Sequence, residues 1–92
     1  MSTPTGAEVW EAAENADLEA KARHILLTLA GRADLFSSVQ ISERELAAET
    51  GFSRSTVWNR LHQLEDLGWL QATRAPFRTT IWTLQIPPEP GA

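Results

Sequence analysis

Residues 41–70, ISERELAAETGFSRSTVWNRLHQLEDLGWL, decide the fold, because they contain two helix starts, a glycine turn and a glycine stop. Ser42 is placed to cap a first helix, and Glu45, three residues later, completes the arrangement of a capping box. Gly51 stands where this helix ends and the chain needs a left-handed residue, which glycine adopts with little strain. The sequence therefore predicts a short helix from Ser42 to about Thr50, followed by a tight turn.

A second helix is predicted from about Arg54 to Leu67. Ser53 can cap its free amides, and Gly68 ends it. Phe52 is expected to be buried between the two helices. Helical spacing predicts one apolar seam that faces the core, made of Val57, Leu61 and Leu64.

The stretch resembles the winged helix-turn-helix family of bacterial transcription regulators, as found in MarR-like and GntR-like proteins. The resemblance implies a mainly α fold with a small β wing, in which a β-hairpin accompanies a three-helix core. It also implies that helix 54–67 docks in the DNA major groove. The residues that match the family in order and spacing are Glu45, Leu46, Ala47, Gly51, Ser53, Thr56, Val57, Arg60, Leu61, Leu64, Gly68 and Leu70.

The outer face of helix 54–67 is the candidate DNA-reading surface. Small polar donors and an arginine suit the hydrogen-bonding base edges of the major groove. The candidates for base contact are Arg54, Ser55, Trp58 and Asn59. A solvated polar face is an equal alternative for Ser55 and Asn59, and Trp58 either meets a thymine methyl group or packs on the wing or a neighbouring chain.

The resemblance also assigns phosphate contacts to Ser53, Thr56 and Arg60, and it lays the hairpin along the backbone or minor groove. Ser53 can equally serve only as a cap, and Arg60 can instead pair with Glu65 or Asp66. The wing is predicted over residues 69–86, where the apolar pattern has period two. Its expected backbone contacts are Arg74, Arg78 and Thr79.

The predicted domain spans residues 7–86, and its N-terminal part precedes the helix-turn-helix. Alanine-rich residues 7–16 form an extra N-terminal helix or extend a core helix predicted over residues 17–30, which Gly31 terminates. Leu35 and Phe36 are expected to cover the core from a loop, and a short edge strand is expected at Val39 to Ile41. Residues 1–6 and the proline-rich residues 87–92 are expected to be disordered.

Composition points to one small domain of 92 residues. With no cysteine and two distant histidines, we expect no metal and no cofactor. Almost no residues remain outside the winged helix, so we expect no small-molecule effector. We found no signal peptide or apolar run long enough for a membrane span, so we expect a cytoplasmic, nucleoid-associated protein without membrane contact.

The net charge of −4 opposes DNA binding, but its distribution favours it. Residues 1–50 have a balance of −5, whereas residues 51–86 hold four arginines against two acids. Four arginines are few, which predicts weak binding by one copy and hence a homodimer. Its expected surface is Trp10, Trp69 and Ile81, because a small chain rarely leaves several large apolar groups in water.

The resulting hypothesis is a non-enzymatic, sequence-specific, double-stranded DNA-binding transcriptional regulator. One alternative is a winged-helix module that binds protein within a larger assembly, since fold alone does not settle function. Another is a plasmid or phage DNA-binding protein for replication, partition or excision. An enzyme is disfavoured, because no nucleophile with a base and no carboxylate pair occurs at usable spacing.

Overall fold

The computed structural model describes residues 3–74, 76 and 79–88 of the chain. These residues form a mainly helical domain with a small antiparallel sheet, as the sequence predicts for a winged helix-turn-helix. The extra N-terminal helix is an element of its own. In chain order the elements are α1 Gly6–Asn15, α2 Ala20–Arg32, β1 Ser38–Gln40, α3 Glu43–Thr50, α4 Arg54–Leu67, β2 Leu70–Thr73 and β3 Ile81–Leu84.

The helix boundaries predicted for α3 and α4 are confirmed by their caps. Ser42 Oγ accepts from the Glu45 amide at 3.0 Å, and the Glu45 carboxylate accepts from the Ser42 amide at 3.4 Å. Ser53 Oγ accepts from the Thr56 amide at 3.1 Å. Gly51 and Gly68 end the two helices in the left-handed conformation, with φ of 80° and 92°. Local chemistry therefore fixes where α4 starts and stops.

The apolar seam of α4 is buried as predicted, and it packs mainly against α2, α3 and β2. Phe52, by contrast, is only half-buried, and its ring meets the edge of His24 of α2 with centroids 5.3 Å apart. The core joins side chains from every helix and strand. Its larger members are Val9, Ile25, Leu26, Leu29, Val39, Ile41, Leu46, Val57, Leu61, Leu64, Trp69, Leu70, Trp82 and Leu84.

The first core helix is shifted from its predicted limits of residues 17–30. Glu19 caps it by accepting from the Ala22 amide at 3.1 Å, which places Asp17 and Leu18 in the link to α1. Gly31 does not end the helix; the helix continues through Arg32, whose guanidinium pairs with Glu49 of α3. Trp10 lies over this glycine, 3.7 Å from where a Cβ would stand, which is an ordinary van der Waals distance.

The N-terminal segment is held to the rest of the domain. Thr5 caps α1 in a capping box with Glu8, so residues 3–6 lead directly into the helix, where we predicted disorder. The Pro4 carbonyl accepts a hydrogen bond from the buried Ser37 hydroxyl. Residues 1, 2 and 89–92 of the predicted disordered ends lie outside the described residues.

The prediction that Leu35 and Phe36 cover the core is wrong, since they are 97% and 75% exposed. The Asp34 carboxylate accepts from the Phe36 and Ser38 amides at 2.8 and 3.0 Å and closes a tight turn. Ser37 follows with φ of 57° and turns its own side chain inward. The turn therefore points its two apolar side chains into solvent.

The sheet has the order β1-β3-β2, so the returning strand of the wing lies between two partners. Val39 of β1 and Ala72 of β2 both stand opposite Trp82 of β3. The expected edge strand is thus present, one residue earlier than predicted. The pairing of β3 with both neighbours reaches Ile81, which stands opposite Gln40 of β1 and Thr73 of β2.

Within the described residues, no helix has the length and apolar character to cross a membrane. The same part of the chain contains no group of three or more histidine, cysteine, aspartate or glutamate side chains placed to hold a metal ion.

Candidate nucleic-acid interface

The outer face of the first two turns of α4 is open to solvent. Arg54, Ser55, Trp58 and Asn59 are all exposed, and Ser55 and Asn59 make no side-chain hydrogen bond within the described residues. No acid occurs in this part of the helix, because Glu65 and Asp66 lie in its last turn. The surface therefore offers free donors and acceptors to a ligand that fits along the helix.

Among the described residues, the aromatic contact of Trp58 is with a neighbour on its own helix. The ring centroids of Trp58 and His62 lie 4.2 Å apart with the planes tilted by 50°. Nearly half of the Trp58 residue surface, 49%, remains exposed. The two rings form an aromatic surface beside the exposed polar groups of the first two turns of α4.

Ser53 and Thr56 sit together at the positive end of α4. Besides capping the helix, the Ser53 hydroxyl donates to the Thr56 hydroxyl at 3.0 Å. Both side chains reach the surface, with Ser53 exposed and Thr56 half-buried. A helix N-terminus with spare amides is a favourable place for an anion, so the capping role and a phosphate contact are compatible here.

Arg60 pairs with neither Glu65 nor Asp66. Its Nε donates to Glu19 Oε2 at 2.8 Å, which ties α4 to the start of α2. Loss of solvent raises the pKa of the Glu19 carboxyl, but hydrogen bonds from the Ala22 and Lys21 amides and the nearby Arg60 guanidinium outweigh that effect. The net pKa of Glu19 is therefore below its ordinary value.

Arg74, at the end of β2, is held against the C-terminal half of α4. Its Nη2 and Nη1 lie 3.3 and 3.5 Å from the two carboxylate oxygens of Glu65. The guanidinium carbon also lies 5.7 Å from the centre of the Trp82 ring, within the range of a cation–π contact. The guanidinium is still half-exposed, so the wing carries a positioned positive charge.

A cleft of about 230 Å³ opens where the starts of α3 and α4 meet the returning side of the wing. The side chains of Arg44, Arg54, Thr79 and Thr80 all line it, and Glu43 is also present. Neither arginine forms an ion pair within the described residues. Two guanidinium groups and two hydroxyl groups are suited to phosphate oxygens. Arg78, the other predicted wing contact, lies outside the described residues.

The predicted dimer surface is only partly exposed. Trp69 is 6% exposed and belongs to the core, so its inclusion was wrong. Its amide donates to the Leu64 carbonyl and its carbonyl accepts from the Gln85 amide, which turns the indole inward between α4 and the sheet. Trp10 and Ile81 do reach solvent, at 41% and 37% exposure.

Three contacts of this surface lay beyond the sequence reasoning. The partnership of Arg60 with Glu19 spans 41 residues, and no local pattern signals it. The spacing of Trp58 and His62, four residues apart on a helix, could have predicted their stacking. Arg44 was not predicted as a contact, because it lies in the first turn of α3, whereas the family resemblance assigns DNA contacts to α4 and the wing.

A family model described as winged helix-turn-helix DNA-binding matches residues 39–71. The match runs from β1 through α3 and α4 into β2 and includes the whole exposed face of α4. It confirms the predicted winged helix-turn-helix over these residues and does not distinguish the MarR-like or GntR-like branches, which stay a prediction. No curated protein matches the chain.

Proposed function

We propose that this protein is a sequence-specific, double-stranded DNA-binding transcriptional regulator, because residues 39–71 match the winged helix-turn-helix DNA-binding family model. In this proposal α4 enters the major groove, and the β2–β3 wing lies along the backbone or minor groove. The protein is bacterial, acts without catalysis, and works in the cytoplasm on the nucleoid.

The observation that carries the proposal is the open, acid-free face at the start of α4. The major groove admits one helix and presents donors, acceptors and thymine methyl groups. Ser55 and Asn59 offer polar atoms that make no side-chain hydrogen bond to any described residue, and Arg54 offers an exposed guanidinium. We therefore assign base contacts to Arg54, Ser55, Trp58 and Asn59.

Phosphate contacts surround this face on both sides. Ser53 and Thr56 present the amide end of α4, and Thr79 lines the cleft between α4 and the wing. Arg74 reaches outward from its place on Trp82. The full set of proposed backbone contacts is Ser53, Thr56, Arg60, Arg74, Arg78 and Thr79, and the cleft adds Arg44.

We also propose that the protein binds as a homodimer on an inverted repeat. The few arginines near the interface support this, because affinity for DNA grows with the number of phosphates neutralised. The longest dimension of the domain, 37 Å, is compatible with two copies spaced by about 34 Å, one turn of DNA. Trp10 and Ile81 remain the candidate contacts, and sedimentation of Trp10→Ser and Ile81→Ser variants tests them.

The direct test is a fluorescence anisotropy titration of the full chain against fragments of its own upstream region at two salt concentrations. We expect one preferred fragment, binding that weakens steeply with salt, and a loss of affinity in Arg54→Ala and Asn59→Ala. Arg32→Gln is the matched control, because it removes one charge from the far end of α2. Equal binding of random DNA, with both variants silent, would refute the proposal.

A second candidate function is a protein-binding module, and the exposed Leu35–Phe36 turn favours it. This turn lies beside the end of β3, because the Leu84 amide donates a hydrogen bond to the Ser37 carbonyl at 2.8 Å. Ile86 is exposed just beyond, so apolar groups gather at the sheet end away from the wing tip. A Leu35→Ser/Phe36→Ser variant that keeps DNA affinity but abolishes function in the cell would favour this role.

A further inference from the structure

Trp58 is an apolar group in the middle of a polar surface. It lies one turn after Arg54 on α4, next to the exposed Ser55 and Asn59, and 49% of its surface is in contact with water. The core does not bury its indole, and its aromatic contact within the described part of the chain is the ring of His62. The position therefore keeps a large apolar surface on the face assigned to DNA.

The His62 contact also restricts the indole. With the ring centroids 4.2 Å apart, the Trp58 side chain has a neighbour on the C-terminal side that limits its rotamers. Ordering a side chain on binding opposes association, so a ring that is already held loses less freedom when a ligand contacts it. The Trp58 indole is thus partly ordered before an apolar group of a ligand contacts it.

The major groove of DNA presents one apolar group, the C5-methyl of thymine. An indole on a helix inside that groove can remove this methyl from water together with part of its own surface. Cytosine lacks the methyl and presents an amino group, which the apolar ring cannot satisfy. The indole therefore favours thymine over cytosine at the base that it meets.

We propose that Trp58 is a specificity-determining residue that recognises a thymine methyl group. This inference rests on the proposed function, in which α4 enters the major groove. Arg54, Trp58 and His62 are spaced by four residues and so lie along one side of α4. Arg54 lines the cleft with Thr79 and Thr80, so this side faces the wing and the thymine lies on the wing side of the recognised sequence.

The test uses thymine with and without its methyl group. The full chain first selects duplexes from a random library, and each thymine of the preferred duplex is then replaced singly by deoxyuridine, which pairs identically. For the wild type we expect one position per half-site at which deoxyuridine weakens binding by about three- to fivefold, the effect of burying one methyl group. Trp58→Ala should lose the difference at that position.

Two variants make the result specific. Trp58→Gln repeats the test with a side chain that retains length and helix propensity, and circular dichroism checks that both variants are folded. Phe36→Ala removes an exposed aromatic ring that lies outside the proposed DNA and dimer contacts, and it should leave the thymine preference unchanged.

The outcomes separate this inference from the proposed function. Sequence-specific binding that is indifferent to deoxyuridine at every position, or a thymine preference that survives in both Trp58 variants, would overturn the inference alone. Selection that yields no preferred duplex would overturn the proposed function and the inference with it.

Discussion

The guanidinium Nε of Arg60 lies 2.8 Å from Oε2 of Glu19, so an arginine assigned to phosphate is bound to the carboxylate that caps α2. The family resemblance implies one partner for Arg60, and the fold supplies another. The ion pair is partly exposed on both sides, which leaves it open to competition from a phosphate.

The two partners should affect DNA binding in opposite directions. Arg60→Ala removes a phosphate contact, so we expect weaker binding and a salt slope reduced by about one unit. Glu19→Gln keeps an oxygen for the Ala22 amide but releases Arg60 and removes an acid, so we expect tighter binding. Anisotropy titrations at several salt concentrations measure both. If the two variants weaken binding equally, the role of Arg60 is to hold α4 against α2, and it does not contact phosphate.

The same pair makes stability depend on pH. The pKa of Glu19 in the folded chain lies below its ordinary value of 4.5, so the folded state favours the carboxylate. Its contribution is present above the ordinary value and is lost as the pH falls through the lower, folded-state pKa. Thermal melts from pH 7 to pH 3 should show wild type more stable than Glu19→Gln at neutral pH, with the difference disappearing at the acid end. A constant difference would contradict this.

Glu65 should improve discrimination between DNA sequences even though its carboxylate repels the DNA phosphates. Its carboxylate holds Arg74 at 3.3 and 3.5 Å, so Glu65→Gln removes a charge and also releases the wing arginine. Asp66→Asn is the matched control, because it removes one charge from the same turn without an ion-pair partner among the described residues.

We expect both variants to bind random DNA somewhat more tightly, because each lowers repulsion of phosphate. Only Glu65→Gln should reduce the ratio of the Kd for random DNA to the Kd for the preferred duplex, by a few fold. Competition titrations with both duplexes give this ratio. Equal ratios in the two variants would show that Glu65 does not position the wing.

The two helix-ending glycines should differ in their tolerance of alanine. Gly51 has φ of 80° with no atom within 4 Å of an added Cβ, so Gly51→Ala should cost the strain of a left-handed residue, about 1–2 kcal/mol. Gly68 has φ of 92°, and its added Cβ would lie 3.2 Å from Cβ of Pro87. Gly68→Ala should therefore lower the free energy of unfolding further.

Urea denaturation of the two single variants measures this comparison. Replacing Pro87 by glycine removes the neighbouring atom, so the extra cost of Gly68→Ala should vanish in that background. If Gly68→Ala lowers the free energy of unfolding no more than Gly51→Ala does, the segment around Pro87 can move away from the added Cβ at little cost.

Local signals in the sequence predicted α3, α4 and their caps, because Ser42, Ser53, Gly51 and Gly68 act through neighbours within four positions. The start of α2 was missed because Glu19 is a less common cap than serine or aspartate. Gly31 was misjudged because glycine stops a helix only when it becomes left-handed, and here it does not.

The environment of large apolar residues was harder to predict. Trp69 was placed on a surface because strand alternation assigns it to the face opposite Leu70, yet it precedes β2 and its backbone is bonded to both α4 and the segment after β3. Leu35 and Phe36 were placed in the core because they are apolar, and a turn built by Asp34 excludes them. The Arg60–Glu19 and Arg74–Glu65 pairs depend on tertiary geometry that spacing alone does not contain.

The order β1-β3-β2 places the returning strand of the wing in the centre of the sheet and β2 at its edge. Residues 81–83 of β3 are paired on both sides, with β1 and with β2, whereas β2 has β3 as its strand partner among the described residues. Amide hydrogens of β3 should consequently exchange with deuterium more slowly than those of β2. The wing is therefore anchored to the domain through its second strand, and its first strand has the greater freedom to adjust to grooves of different width.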